Sequence, residues 1–176
     1  MKPLVPTAEM TLGPFFPREF GRAANDLTVI GTTKASGASI EIRGRLVQGD
    51  GGPMDNAIVE IWQASAKGRY DDPAFFGWGR AATDADGNYS FRTVKPGALE
   101  GRAPHVNVLV LFSGLMRQLQ TVMFFEGEEA NARDPVLCAV QPPALRALLV
   151  ARKEGPGSYR FDIRTQGGDE TPFFDD

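Results

Sequence analysis

His105 is the only histidine of the chain and Cys138 the only cysteine, and these two counts bound the chemistry available. A zinc or non-haem iron site built on two or three imidazoles cannot be assembled from one copy. A serine triad would have to draw on the same histidine, and no Gly-x-Ser-x-Gly elbow presents a nucleophile to it. Cys138 lies between Pro135-Val136-Leu137 and Ala139-Val140, an apolar setting that predicts a buried packing thiol. Asp84, Asp86 and Asn88 have the spacing of the first ligands of a calcium loop. Tyr89 stands where such a loop needs glycine and Lys95 where it needs the bidentate glutamate, so the segment reads as a hairpin turn. Gly77-Trp78-Gly79 precedes no strand-to-helix transition and offers no phosphate cradle. Glu126, Glu128 and Glu129 read as a solvated turn, because nothing near them in sequence would hold one of them protonated.

The elements that must position any site are strands. Ser39 to Val47 places Ile40, Ile42 and Leu46 on one face and charges on the other, the period of a half-buried strand. Ala57 to Gln63 is rich in β-branched and aromatic residues, and Asn88 to Val94 alternates Tyr89, Phe91 and Thr93 with polar residues between two turns. His105 to Phe112 and Gln120 to Phe125 are more uniformly apolar, as strands buried on both faces are, and Tyr159 to Thr165 alternates again. One helix is predicted over Pro142 to Lys153 from Leu145, Leu148 and Leu149. Short strands between Gly/Pro turns, without β-α alternation, predict an all-β antiparallel sandwich of residues 39–176. Residues 1–38 lack sustained periodicity yet contain Gly13-Pro14-Phe15-Phe16-Pro17, an arm expected to pack against something. The C-terminal Thr171-Pro172-Phe173-Phe174 has the same character.

The chain has 176 residues, with Lys and Arg at 19 and Asp and Glu at 22, a net charge of −3 that carries no basic surplus for nucleic acid. The longest wholly apolar run, Val108 to Phe112, is far short of the ~20 residues of a membrane-spanning helix. With one cysteine and no apolar signal segment after Met1-Lys2-Pro3, the expected setting is the cytoplasm, with neither nucleic acid nor membrane as partner.

Several segments, in order and spacing, resemble the intradiol ring-cleavage dioxygenases: Thr11-Leu12-Gly13-Pro14-Phe15-Phe16, Val59-Glu60-Ile61-Trp62-Gln63-Ala64, Gly68-Arg69-Tyr70, Thr93-Val94-Lys95-Pro96-Gly97 and Ala103-Pro104-His105. Ala130 to Leu137, Arg160 to Arg164 and the segment Gly167 to Asp175 most resemble the α subunit of the family's two-subunit members. The resemblance implies a β-sandwich with a transthyretin-like core. It also implies a reaction in which Fe(III), held by two tyrosinates and two histidines, binds a catechol while O₂ inserts between the hydroxyl-bearing carbons. Tyr70 matches the first tyrosine, His105 the first histidine and Arg102 the arginine three residues before it. Asn107 stands in place of the second histidine, Ala98-Leu99 in place of the second tyrosine, and Val122 in place of a glutamine beside the substrate.

Asparagine is a feeble iron ligand and leucine none, so Tyr70, Arg102, His105 and Asn107 read as a degenerate remnant, with no metal and no catalytic residue expected in this chain. The resemblance accommodates that: an α subunit of this kind pairs with an iron-bearing β subunit of the same fold, which holds the Fe(III), and its N-terminal arm helps to wall the β cavity. Thr11, Gly13 and Pro14 are then the expected substrate-contacting residues, and the reactants a small catechol carboxylate and O₂. The resembled α subunit carries an arginine where this chain has Ser113-Gly114, a place Arg117 would have to fill. Two rivals are a non-enzymatic transthyretin-like binding module and a self-sufficient dioxygenase with variant iron ligands.

Overall fold

The computed structural model describes residues 24–115 and 118–174. β3 (Ser39–Val47) buries Ile40, Ile42, Gly44 and Leu46, as its alternation requires. β4 (Ala57–Gln63), β6 (Asn88–Val94), β7 (His105–Phe112) and β8 (Leu119–Phe125) stand within a residue of their predicted bounds. β5 (Trp78–Ala82) was not foreseen, since Trp-Gly-Arg-Ala-Ala carries too few large apolar residues to show a period. β9 (Val150–Gly155), β10 (Ser158–Arg160) and β11 (Ile163–Arg164) complete the main sheet.

One layer is built on β3, which pairs with β6, β10 and β11; the other runs β5, β4, β7, β8. β9 joins them by pairing with β8 on one side and β10 on the other. Between the layers Ile42, Phe91 and Tyr159 meet Val59, Val106, Met123 and Phe125. Each such side chain, shielded from water, contributes roughly 1.5–3 kcal/mol relative to exposure. The expected antiparallel pairing holds except where β10 and β11 lie parallel to β3 and β8 lies parallel to β9. A parallel pair needs a crossover, and the long connection from β8 to β9 supplies it.

That connection corrects the predicted helix. Its only α-helix is α1 (Pro135–Ala139), capped by the Asp134 side chain, which accepts from the Val136 and Leu137 amides. Pro143–Leu149 is a 3-10 segment and Val150 already belongs to β9. Leu145, Leu148 and Leu149 satisfied a helical spacing, but only Leu149 is fully buried, and the β-branched Val150 continues as strand. Cys138 is half-buried rather than buried: α1 turns Leu137 inward, while the Cys138 thiol sits 3.4 Å from the Ala132 carbonyl. The acidic turn is more tied than expected, since Glu128 pairs with Lys95 and Glu126 accepts from the Lys153 amide. The Asp84 segment is the predicted turn, its carboxylate receiving the Asp86 and Asn88 amides around Gly87, whose φ of +77° suits glycine.

Before the main sheet, β1 (Val29–Ile30) and β2 (Thr33–Lys34) form a small exposed hairpin. Leu27 inserts into the core and Ala24 bridges to Arg80 on β5. At the other end of the chain Phe173 packs on the main core.

Candidate functional site

Two cross-strand rows on the outer face of the second layer define the site. Strand register aligns Trp78, Trp62, Asn107 and Val122 in one row, and Arg80, Glu60, Leu109 and Gln120 in the next. These residues alternate with the inward-facing core, so the pleat that buries Ile61, Val108 and Thr121 presents them outward. One end of this face is closed by a second apolar cluster of Phe124, Leu137, Val140 and Leu149, brought by α1 and the 3-10 segment. The other end is an open cleft of about 370 Å³ over the two rows, flanked by Phe174.

Tyr70, Trp62 and Asn107 meet at its edge. The Tyr70 ring stacks on Trp62 with centroids 5.9 Å apart. Asn107 Nδ2 donates to the Tyr70 hydroxyl at 3.0 Å and to the Trp62 carbonyl at 3.3 Å. Burial pushes the Tyr70 phenol above its ordinary pKa, an effect that the Asn107 hydrogen bond and the nearby Arg102 charge only partly offset. At neutral pH the group is therefore a neutral phenol. Glu60 is held by Arg80 and reached by the Trp78 indole N–H.

His105 opens β7 on the same face but under the second cluster, with its ring 6.1 Å from that of Phe124 and Nδ1 2.7 Å from the Ala103 carbonyl. Burial pushes the imidazole pKa down, assisted by the Arg102 charge and opposed by that carbonyl and by Asp134. The folded-state pKa is thus below the ordinary value, so the fold's advantage is full above pH ~6.5 and is lost as pH falls through that range. Because His105 is the only histidine, thermal melts are expected to show stability declining as pH falls below about 6.5, and His105→Gln to flatten that part of the profile.

Asp134, not singled out by sequence reasoning, anchors this segment. Its side chain has no exposure; it accepts from Arg102 Nε at 2.8 Å, from the Ala103 amide at 2.9 Å, and from two amides of α1. Burial alone would raise its pKa, but the amides and the Arg102 guanidinium outweigh it and hold the carboxyl below the ordinary value. Arg102 Nη2 is buried without a hydrogen-bond partner among the described residues.

The donor set does not fit Fe(III). The chain has three tyrosines; Tyr89 is buried with its hydroxyl on the Phe161 carbonyl, and Tyr159 lies in the main core, so neither can join Tyr70 as a second phenolate. Asn107 presents an amide N–H to the Tyr70 oxygen rather than a lone pair to a metal. The structure thus brings Tyr70 and Asn107 into contact and keeps Arg102 and His105 on one buried segment. Thr11, Gly13, Pro14 and Arg117 lie outside the described residues. Trp78, Glu60, Gln120 and Phe174 were missed because they come from separate elements; outward alternation along β4 and β8 was the available signal.

A family model described as Dioxygenase matches residues 11–167. The chain is 38% identical to the protocatechuate 3,4-dioxygenase alpha chain of Burkholderia cepacia, over 99% of this chain and 100% of that one. It is 33% identical to the beta chain from the same organism, over 97% of this chain and 85% of that one. Among solved structures, the dioxygenase domain of a carbohydrate-binding fusion protein from Streptomyces sp. SirexAA-E matches with a TM-score of 0.66 at 28% identity, over 93% of this chain and all of that one.

Proposed function

The chain belongs to the intradiol dioxygenase family, and we propose that within it the chain serves as the iron-free α subunit of a protocatechuate 3,4-dioxygenase. The Asn107–Tyr70 hydrogen bond carries this reading: at a ligand position of the resembled iron site stands an amide that satisfies the phenol. The nearly end-to-end likeness to an α chain, with a β chain also related, supports a division of labour between two chains of one fold. The partner is then an iron-bearing β subunit, and the reactants are protocatechuate and O₂. Bound in that partner, Fe(III) would supply the activation that lets O₂ enter the ring between the two hydroxyl-bearing carbons.

This chain's own contribution is to wall the partner's cavity and exclude water. Thr11, Gly13 and Pro14 are the proposed contacts, offering a hydroxyl and close-approaching backbone to the substrate. Nothing among the described residues is a helix long and apolar enough to cross a membrane, and the cytoplasm is the proposed setting.

Kinetics of purified heteromers test the arm. Deleting residues 1–16 is expected to leave the sandwich folded, because the strands from Ser39 onward and, among the described residues, a core that begins at Leu27 carry it, yet to reduce protocatechuate cleavage. Thr11→Ala should act more mildly, since one neutral hydrogen bond is worth ~0.5–1.5 kcal/mol, roughly 2- to 13-fold in rate if felt in the transition state. Unchanged KM and kcat after the deletion, in heteromers of intact stoichiometry and iron content, would leave this chain only a scaffolding role. A non-enzymatic binding module would show no dependence of catechol cleavage on it at all.

A further inference from the structure

We infer that residues 24–27 form a strap that positions the arm at its root, fixing where the chain departs from the sandwich toward the partner's cavity; this rests on the role of the arm proposed above. Among the main-sheet strands, β5 pairs only with β4 and β6 only with β3, so each is an edge of its layer. The strap laces one edge to the other. Ala24 exchanges both backbone hydrogen bonds with Arg80 of β5, at 3.2 and 3.0 Å, while the Asn25 carbonyl and the Leu27 amide engage Arg92 of β6, each at 2.8 Å. Asn25 Nδ2 donates to the Ser90 carbonyl at 3.0 Å, and Asp26 pairs with the Arg92 guanidinium. Leu27, 3% exposed, pins the strap into the core. It lies over Gly79, where a Cβ would stand 2.5 Å from Leu27 Cδ1 and 3.0 Å from the Ala24 carbonyl oxygen, so the seat of the strap on β5 calls for glycine.

The strap bears on function through chain length. Ala24 is ten residues beyond Pro14, whereas Ala35, the next residue after Leu27 packed against the hydrophobic core, is twenty-one beyond it. With the strap released, the arm would be held from Ala35. The entropy lost in bringing its contacts to a fixed place grows with the length closed, a penalty of about threefold for that difference. Because its backbone bonds fall on strands of two different layers, the strap also fixes the orientation of the root, which a single anchor would not. A segment that only sealed the two sheet edges would matter equally whether or not the arm was present.

A double-mutant cycle on purified heteromers is the test: the parent, Gly79→Ala, the deletion of residues 1–16, and the two combined. Gly79→Ala blocks the seat without changing any residue of the arm; Leu27→Ala, which empties the seat, replaces it in the cycle if that variant does not assemble. Hydrogen exchange, followed over peptides that contain Leu27, Arg80 and Arg92, is expected to quicken at those amides as the strap lifts. With the arm present, kcat/KM for protocatechuate should fall about threefold; with the arm deleted, the same substitution should change it no further. The fall should lie in KM rather than kcat, because substrate bound beside the arm draws it back into place at saturation. Equal losses with and without the arm would make the strap a seal only and overturn the inference, as would quickened exchange with undiminished kcat/KM, or exchange that does not change. Deletion of residues 1–16 without effect on kcat/KM would sink the proposed role of the arm and this inference with it. A deletion that matters beside a Gly79→Ala that does not would sink the strap alone.

Discussion

Asp134→Ala is expected to destabilise the fold by about 3–5 kcal/mol, because removal of one partner from a buried ion pair leaves the other uncompensated. Asp134 is fully enclosed and answers four donors: Arg102 Nε and the amides of Ala103, Val136 and Leu137. Alanine would strand a guanidinium and three backbone N–H groups at once. For a chain of this length the loss corresponds to a fall in Tm of roughly 6–20 °C. Asp134→Asn keeps an acceptor for the cap and is expected to cost less. The same carboxylate predicts acid sensitivity: its folded-state pKa is held below the ordinary value, so its stabilisation is full above pH ~3.9 and disappears as pH falls through the folded-state value. Melts that place Asp134→Ala within 1 kcal/mol of the parent, on the order of a surface substitution, would show that the Arg102–His105 segment is held by something else.

Gly44→Ala is the second large effect. A Cβ at Gly44 would stand 1.8 Å from the Phe161 carbonyl oxygen and 2.5 Å from the Tyr89 hydroxyl oxygen. The obstruction is backbone, so β3 or the segment after β10 must move, and the 2.5 Å Tyr89–Phe161 hydrogen bond must open with it. Overpacking and the lost bond together are expected to cost about 3 kcal/mol or more, read as a fall in denaturation midpoint at unchanged slope. Tyr89→Phe, which removes only the hydroxyl, should cost about 1 kcal/mol. Equal losses from the two variants would mean that the strand yields easily at Gly44.

These two residues also mark where sequence reasoning succeeds and stops. β3 was legible because Ile40, Ile42 and Leu46 repeat every second residue; that Gly44 completes the buried row follows from the same period, but its contact with Phe161 links residues 117 positions apart and has no local signal. Asp134 precedes a helix of five residues, too short for a periodic pattern, and its other partners lie more than thirty positions upstream. The leucines of Pro143–Leu149 misled because a 3-10 segment running into a strand can satisfy a helical spacing. For the site, Tyr70, Arg102, His105 and Asn107 were legible only as a resemblance. The cleft was not legible, since its walls are assembled by strand register from β4, β5, β7, β8 and the C-terminal segment.

The central claim is that this chain is necessary for protocatechuate cleavage but holds no catalytic iron. The most direct measurement is O₂ consumption with protocatechuate by the full chain purified alone, by the proposed iron-bearing partner alone, and by the two co-purified, with iron determined per chain in each sample. The expected result is turnover only in the co-purified heteromer, with iron tracking the partner and well below one per copy in the chain alone, as the Asn107–Tyr70 pairing requires. One tightly held iron per copy of this chain, with turnover in its absence of any partner, would contradict the account and establish a self-sufficient dioxygenase.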